Sequence, residues 1–270
     1  MKYHIIANIF VFLFLACRSD FNTDQKDIKH PPTEKSRTKT EDPKQEESKT
    51  KTEEKGFKKK QEEGGKEEGH IKKNILLHDL KNSIETAYAY KEKYIKRMKE
   101  EPEDQYGVQA FKVWNWGKGT EKMSDNTERS IKFRRHTYTI LSVLDIDELK
   151  EFSNIILLAK EEHILGVFSM LGEVLDIAID HLHPKKGKLN KLDTSDLNTL
   201  KISFDKILSI VESISGMSQQ LLLDYKNNKN IIKTDINELK SHVNKLKNQF
   251  REQAIEARNL QKFIVSKYKL

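Results

Sequence analysis

The chain has 270 residues with a formal net charge of +7, 36% hydrophobic residues, one cysteine and five prolines. A single cysteine excludes an internal disulfide framework, so any folded part relies on its apolar core. The mild basic excess favours acidic partners only weakly and does not by itself indicate nucleic acid as a partner.

The start is a leader. Lys2 and His4 precede the apolar run Ile5 to Ala16, which ends directly before Cys17. A short basic start, an apolar core and a small residue at the junction form a secretory signal. The run is too short to span a bilayer, which takes about 20 apolar residues. A small residue before the sole cysteine is what bacterial lipoprotein processing needs, so residues 1–16 read as a signal peptide and Cys17 as the lipidated mature N-terminus. Two or more acyl chains make such anchoring effectively permanent, at roughly 0.8 kcal/mol per buried methylene.

Residues 17–70 read as a disordered, charged tether. Large apolar side chains are almost absent, and residues 18–70 carry 14 basic and 14 acidic residues. Such a segment cannot bury enough apolar area to offset its ordering entropy. As a flexible chain it holds the following domain about 40 Å from the anchor; the alternative is a long charged helix over residues 41–60.

Residues 71–270 read as an all-α domain, an antiparallel helical bundle that ends in a long helical hairpin. The first helix carries Leu77, Leu80, Ile84, Ala87, Tyr88, Tyr94, Ile95 and Met98 at helical spacing and stops near Pro102 and Gly107. An irregular stretch follows, with Trp114 and Trp116 one residue apart, either plugging the bundle or standing exposed as a partner's anchor. A second helix runs over about 127–144. Asp145 with Glu148 has capping-box spacing for a third, and Gly166 is a candidate break before a fourth that ends near His183-Pro184. The last two segments alternate steps of three and four. One runs from Leu197 to Tyr225 and the other from Ile232 to Ile264, across the polar connector Asn227-Asn228-Lys229-Asn230. These are heptad seams, packed as a hairpin inside the bundle, or, with a final helix longer than its partner, leaving seam exposed for a second copy or a host helix.

Two charged sectors are candidates for chemistry. Glu173, Asp176, Asp180 and His183 share one face of the fourth helix, a spacing that could ligate a metal. The opposite face is apolar, so the acidic face is expected to meet water and no metal is assigned. On the second helix Arg129, Lys132, Arg135 and His136 form a basic sector. It suits a sulfated glycan or an acidic protein surface, or else a soluble face that answers nearby acids. No His-Glu-x-x-His motif, phosphate loop or nucleophile elbow occurs. The reading is therefore of a non-enzymatic protein with no catalytic residues and no cofactor.

Longer strings carry a resemblance over nearly the whole chain. The leader with Phe21-Asn22-Thr23-Asp24, together with Asp104-Gln105-Tyr106-Gly107, Arg134-Arg135-His136-Thr137-Tyr138, Pro184-Lys185-Lys186, Lys191-Leu192-Asp193-Thr194-Ser195-Asp196-Leu197 and Leu222-Leu223-Asp224-Tyr225, resembles the virulent-strain-associated lipoproteins of Borrelia. That resemblance implies a lipid-anchored antigen on the outer membrane, facing the exterior, with no established biochemical activity. Of functional positions it carries over Cys17 alone. The expected function is binding to a host macromolecule, in adhesion or in immune or complement evasion. The alternative is a structural envelope protein that self-associates through its C-terminal heptads; a metal-assisted hydrolase on Asp176, Asp180 and His183 is the third. Oligomeric state is left open.

Overall fold

The structure, a computed structural model, describes residues 53–117 and 119–269. The signal peptide, Cys17 and the tether up to residue 52 lie outside the described residues. The chain divides into two units, Met1–Glu63 and Gly64–Leu270, and the second forms the helical bundle.

Helix α1 spans Glu53–Lys99, so it starts inside the segment assigned from sequence to the tether. Its buried positions Leu80, Ile84, Ala87, Lys91 and Tyr94 repeat at three and four, which fixes the face it lays on the bundle. A short 3-10 turn (Gln105–Gly107) and α2 (Ala110–Val113) follow, then a loop closed by an isolated bridge between Asn115 and Lys122. Helix α3 (Glu128–Ile140) is capped by Thr127, whose side chain accepts from the Ser130 amide. It ends four residues earlier than the spacing suggests, where Leu141–Val143 tightens into a 3-10 turn.

Helix α4 (Ile146–Leu158) opens on the expected capping box, with Asp145 and Glu148 each bonded to the other's amide. The break before α5 (Ile164–Leu182) falls at Lys160, which adopts a left-handed φ of 57°. Gly166 does not make that break. It lies inside the first turns of α5, where it meets Trp114. A 3-10 helix covers His183–Lys191, and the hairpin of α6 (Thr194–Lys226) and α7 (Ile236–Lys267) completes the chain.

Helix α5 is the hub. Eleven of its residues are buried, from Ile164 to Leu182, because it packs on α3, α6 and α7. Its neighbours cover a broad apolar side, while Glu173, Asp176 and Asp180 lie on its remaining face. Phe168 touches Phe152 of α4 and Phe250 of α7, with ring centroids 5.9 and 5.6 Å apart, and full burial of each such ring contributes roughly 1.5–3 kcal/mol.

The hairpin is antiparallel. Asp196 at the start of α6 pairs with Lys267 at the end of α7, at 2.9 Å, and Lys206 pairs with Glu256 further along. Its tight connection uses Asn228 and Asn230 at φ 49° and 52°, a conformation that asparagine tolerates because its short side chain bonds locally. Here the Asn228 side chain accepts the Lys233 amide.

Two expectations about the hairpin are corrected. The last helix is not longer than its partner, having 32 residues against 33. Its seam is also spent inside the chain: Leu239, Val243, Phe250, Ala257 and Ile264 are buried, and Ile236 alone among the predicted apolar seam positions is exposed. The reason is tertiary, because α7 lies against α5 as well as α6 and two neighbours cover its apolar side.

Candidate functional site

The acidic face of α5 meets water only in part: Asp180 is exposed and Glu173 half-exposed, whereas Asp176 is buried. Asp176 is only 4% exposed, and both carboxylate oxygens are occupied. The Tyr94 hydroxyl donates to Oδ1. Arg135 Nη2 donates to Oδ2 at 2.7 Å, and His136 Nε2 lies 3.2 Å from the same atom. An ionised carboxylate only accepts, so the imidazole Nε2–H is the donor there. Lys91 stands 3.6 Å away and bonds Asp180 at 2.6 Å. Burial pushes the Asp176 carboxyl up, but hydrogen bonds from His136 and Tyr94 and the charges of Lys91 and Arg135 outweigh it and hold the pKa at about 2. Burial and the adjacent carboxylate push the Tyr94 phenol up, which keeps it a donor.

The rest of this face is paired in the same way. Lys132 reaches Glu173 at 3.4 Å. The His183 ring stacks on Tyr88 with centroids 3.7 Å apart and planes 7° from parallel. The basic sector of α3 and the acidic sector of α5 are therefore two halves of one seam, with α1 laid across it. Gly172 makes the approach possible: a Cβ there would stand 2.2 Å from the His136 carbonyl oxygen. Among the described residues no group of three or more His, Cys, Asp or Glu is placed to hold a metal.

Of the candidate ligand-binding residues, Lys132, Arg135 and His136 thus face α5, and His136 is 2% exposed, which removes it from any outer surface. Arg129 stays outside with Trp114 and Trp116. It donates to Glu121 through Nε at 2.8 Å, and its guanidinium lies 5.0 Å from the Trp116 ring centroid. Hydrogen bonds from Arg129, then Thr127, hold the half-buried Glu121 carboxyl at about 2.

Both tryptophans are half-buried and frame Phe133 edge-on, at 5.5 and 5.6 Å. The local backbone places them. Trp116 N donates to Glu121 O and Met123 N to Trp114 O, across the bridge, while Trp116 Nε1 donates to Ser130 Oγ at 2.8 Å. Trp114 lies over Gly166, whose missing side chain leaves room for the indole: a Cβ would stand 2.6 Å from its Cη2. Together they wall an open cleft of about 350 Å³, with Phe133, Met170, Glu173 and Arg258 among its other lining residues. Arg258 of α7 joins a cleft that no local sequence signal connects with it.

Sequence reasoning missed Arg134. Its side chain is 1% exposed, forms bonds with both Glu101 carboxylate oxygens and donates to the carbonyls of Met123 and Asp125. Glu101 also accepts from Tyr138. This buried pair ties the end of α1 to the tryptophan loop. A signal was present, since Arg134 falls on the stripe Ser130, Phe133, Thr137, Tyr138 and Leu141, the buried face of α3.

Comparison with known proteins places this architecture. Residues 96–269 match the family model described as Borrelia Bbcrasp-1 domain containing protein. The crystal structure of BSE31 from Borrelia (Borreliella) spielmanii is similar at 48% identity, with a TM-score of 0.70, over 72% of this chain and 98% of that one. More distant structures share the fold. The outer surface lipoprotein BBA64 of Borrelia burgdorferi is 18% identical with a TM-score of 0.59, over 72% of this chain and 97% of that one. BSA64 of Borrelia spielmanii is 19% identical at 0.58, over 73% and 98%. No curated protein matches the chain. The family model covers more than half of the chain and BSE31 is close in sequence, so the chain belongs to the Borrelia Bbcrasp-1 domain containing proteins.

Proposed function

We propose that this is a lipid-anchored protein of the outer surface that binds a host macromolecule, in adhesion or in immune or complement evasion, through the cleft between Trp114 and Trp116. Its role is non-enzymatic and of the surface, host-interaction class, as family membership supports. Anchoring is assigned to Cys17, with the charged tether giving reach. The relative BBA64 is itself described as an outer surface lipoprotein, in keeping with this placement.

The observation that carries the reading is the cleft itself. Aromatic side chains that keep part of their faces open, beside a guanidinium, are the composition of interface hot spots. Most of the other polar side chains predicted for a partner are consumed in the α3–α5 seam, whereas this cleft retains apolar walls and the cation of Arg258. Occupied carboxylates make poor sites; open indoles make good ones.

The test is capture of serum and matrix proteins by the purified full chain. Trp116→Ala should weaken capture about thirtyfold, the effect of losing a hot spot of about 2 kcal/mol. Gly166→Ala, which pushes Trp114 toward the cleft, should weaken it as well while helicity is kept. Undiminished capture by both variants overturns the assignment to this cleft.

A further inference from the structure

The segment His183–Lys191 is a continuous 3-10 helix with the sequence HPKKGKLNK. It carries four lysines and no acid. In a 3-10 helix residues three apart eclipse one another at about 2.0 Å rise per residue, so Lys185, Lys188 and Lys191 form one straight row at a pitch of about 6 Å.

The other two stripes fix which way this row faces. His183, Lys186 and Leu189 turn inward: His183 stacks on Tyr88, Lys186 bonds Glu85 of α1, and Leu189 is fully buried. Pro184, Gly187 and Asn190 are exposed. Among the described residues none of the three row lysines pairs with a carboxylate; Lys185 has His181 Nδ1 at 3.5 Å as its only polar neighbour. The nearby acids are engaged, Asp193 by the Asp196 amide and Asp196 by Lys267. Through His181, which bonds Tyr268 O at 2.8 Å, the row adjoins Lys267 at the end of α7.

We propose that this row is a second binding surface, separate from the tryptophan cleft, and that its ligand is a linear sulfated polysaccharide. A regular line of unpaired cations matches a polymer with repeating anionic groups, and binding releases the counterions held along it. An anionic bilayer fits less well, because surfaces that enter a lipid interface set large apolar side chains beside their lysines. Here the exposed stripe beside the row is proline, glycine and asparagine. The polyanion site is thus moved from Arg129, Lys132 and Arg135, whose charges are met by Glu121, Glu173 and Asp176.

The experiment uses the full chain in neutral detergent on immobilised heparin. The wild type should be retained and eluted by salt. The triple substitution Lys185→Gln, Lys188→Gln, Lys191→Gln should lose at least tenfold in affinity, with the slope of log affinity against log salt reduced by about 2 to 3. A control triple with the same net charge, Lys233→Gln, Lys245→Gln, Lys262→Gln, should bind as the wild type does. Equal retention of the row variant and the wild type overturns the proposal. So does equal loss in both triples, which would make net charge the cause. Capture by phosphatidylglycerol vesicles without capture by heparin assigns the row to lipid and also overturns it. Trp116→Ala should leave heparin retention untouched, so failure of this site and failure of the cleft are told apart.

Discussion

Replacing Gly172 by alanine probes how closely α3 and α5 are held. The added Cβ would stand 2.2 Å from the His136 oxygen and 2.8 Å from both its carbonyl carbon and its Cα. These atoms belong to a helix backbone and cannot rotate aside. Ordinary contact begins near 3.4 Å, so α3 must withdraw by about 1.2 Å. That movement stretches the 3.2 Å contact between His136 and Asp176 past bonding distance. Overpacking of this kind costs about 1–3 kcal/mol, and the loosened buried carboxylate adds to it. Better helix propensity returns about 1 kcal/mol, leaving a net loss of about 2 kcal/mol. For a domain of this size Tm should fall by roughly 4–8 °C. Gly216 in α6 is the control, since nothing lies within 4 Å of its would-be Cβ, and Gly216→Ala should gain about 0.5–1 kcal/mol. Circular dichroism melts and urea titrations of both variants measure the contrast. A Gly172→Ala protein as stable as the wild type would refute the close-approach argument.

Two further outcomes concern stability. The Asp176 carboxyl lies below its unfolded value of 3.8, at about 2, so its stabilisation is present above pH 4 and lost as pH falls toward 2, by about 2 kcal/mol. Asp176→Asn should flatten that acid limb and, by leaving Arg135 beside a neutral group while Lys91 keeps Asp180, cost about 2 kcal/mol near neutral pH; an unchanged limb in urea titrations across pH would remove Asp176 as its source. Asp145→Ala deletes one half of the capping box of α4 and should lower stability by about 1 kcal/mol in the same titrations, whereas no change would mean that the cap adds nothing to the folded state.

Local chemistry left clear traces in the sequence. The capping box at Asp145 and Glu148, the asparagine-rich connector of the hairpin and the two three-four repeats each involve residues close together in the chain, where a helix imposes its own period. The repeats fixed which residues of α6 and α7 are apolar and inward. The strings around Arg134 and Pro184 already pointed to the family. Boundaries were less legible: the end of α4 is set by the left-handed turn at Lys160, a conformation that lysine does not advertise, whereas the nearby glycine, Gly166, lies inside α5.

Pairing between helices was decided by the tertiary structure alone. A helical wheel shows that Glu173, Asp176, Asp180 and His183 share a face, and that Arg129, Lys132, Arg135 and His136 share another. It does not show that α5 brings most of the second set onto the first. Water and a complementary helix satisfy a charged face equally well at the level of one segment, and which of them covers Asp176 depends on the packing of α1 and α3. The same holds for the tryptophans, whose positions follow from Phe133, from the space over Gly166 and from Arg258 on a distant helix. Periodicity by itself determined a helical domain with an apolar inside. Only the fold turned its acidic and basic faces against each other and set the half-buried indoles along an open cleft.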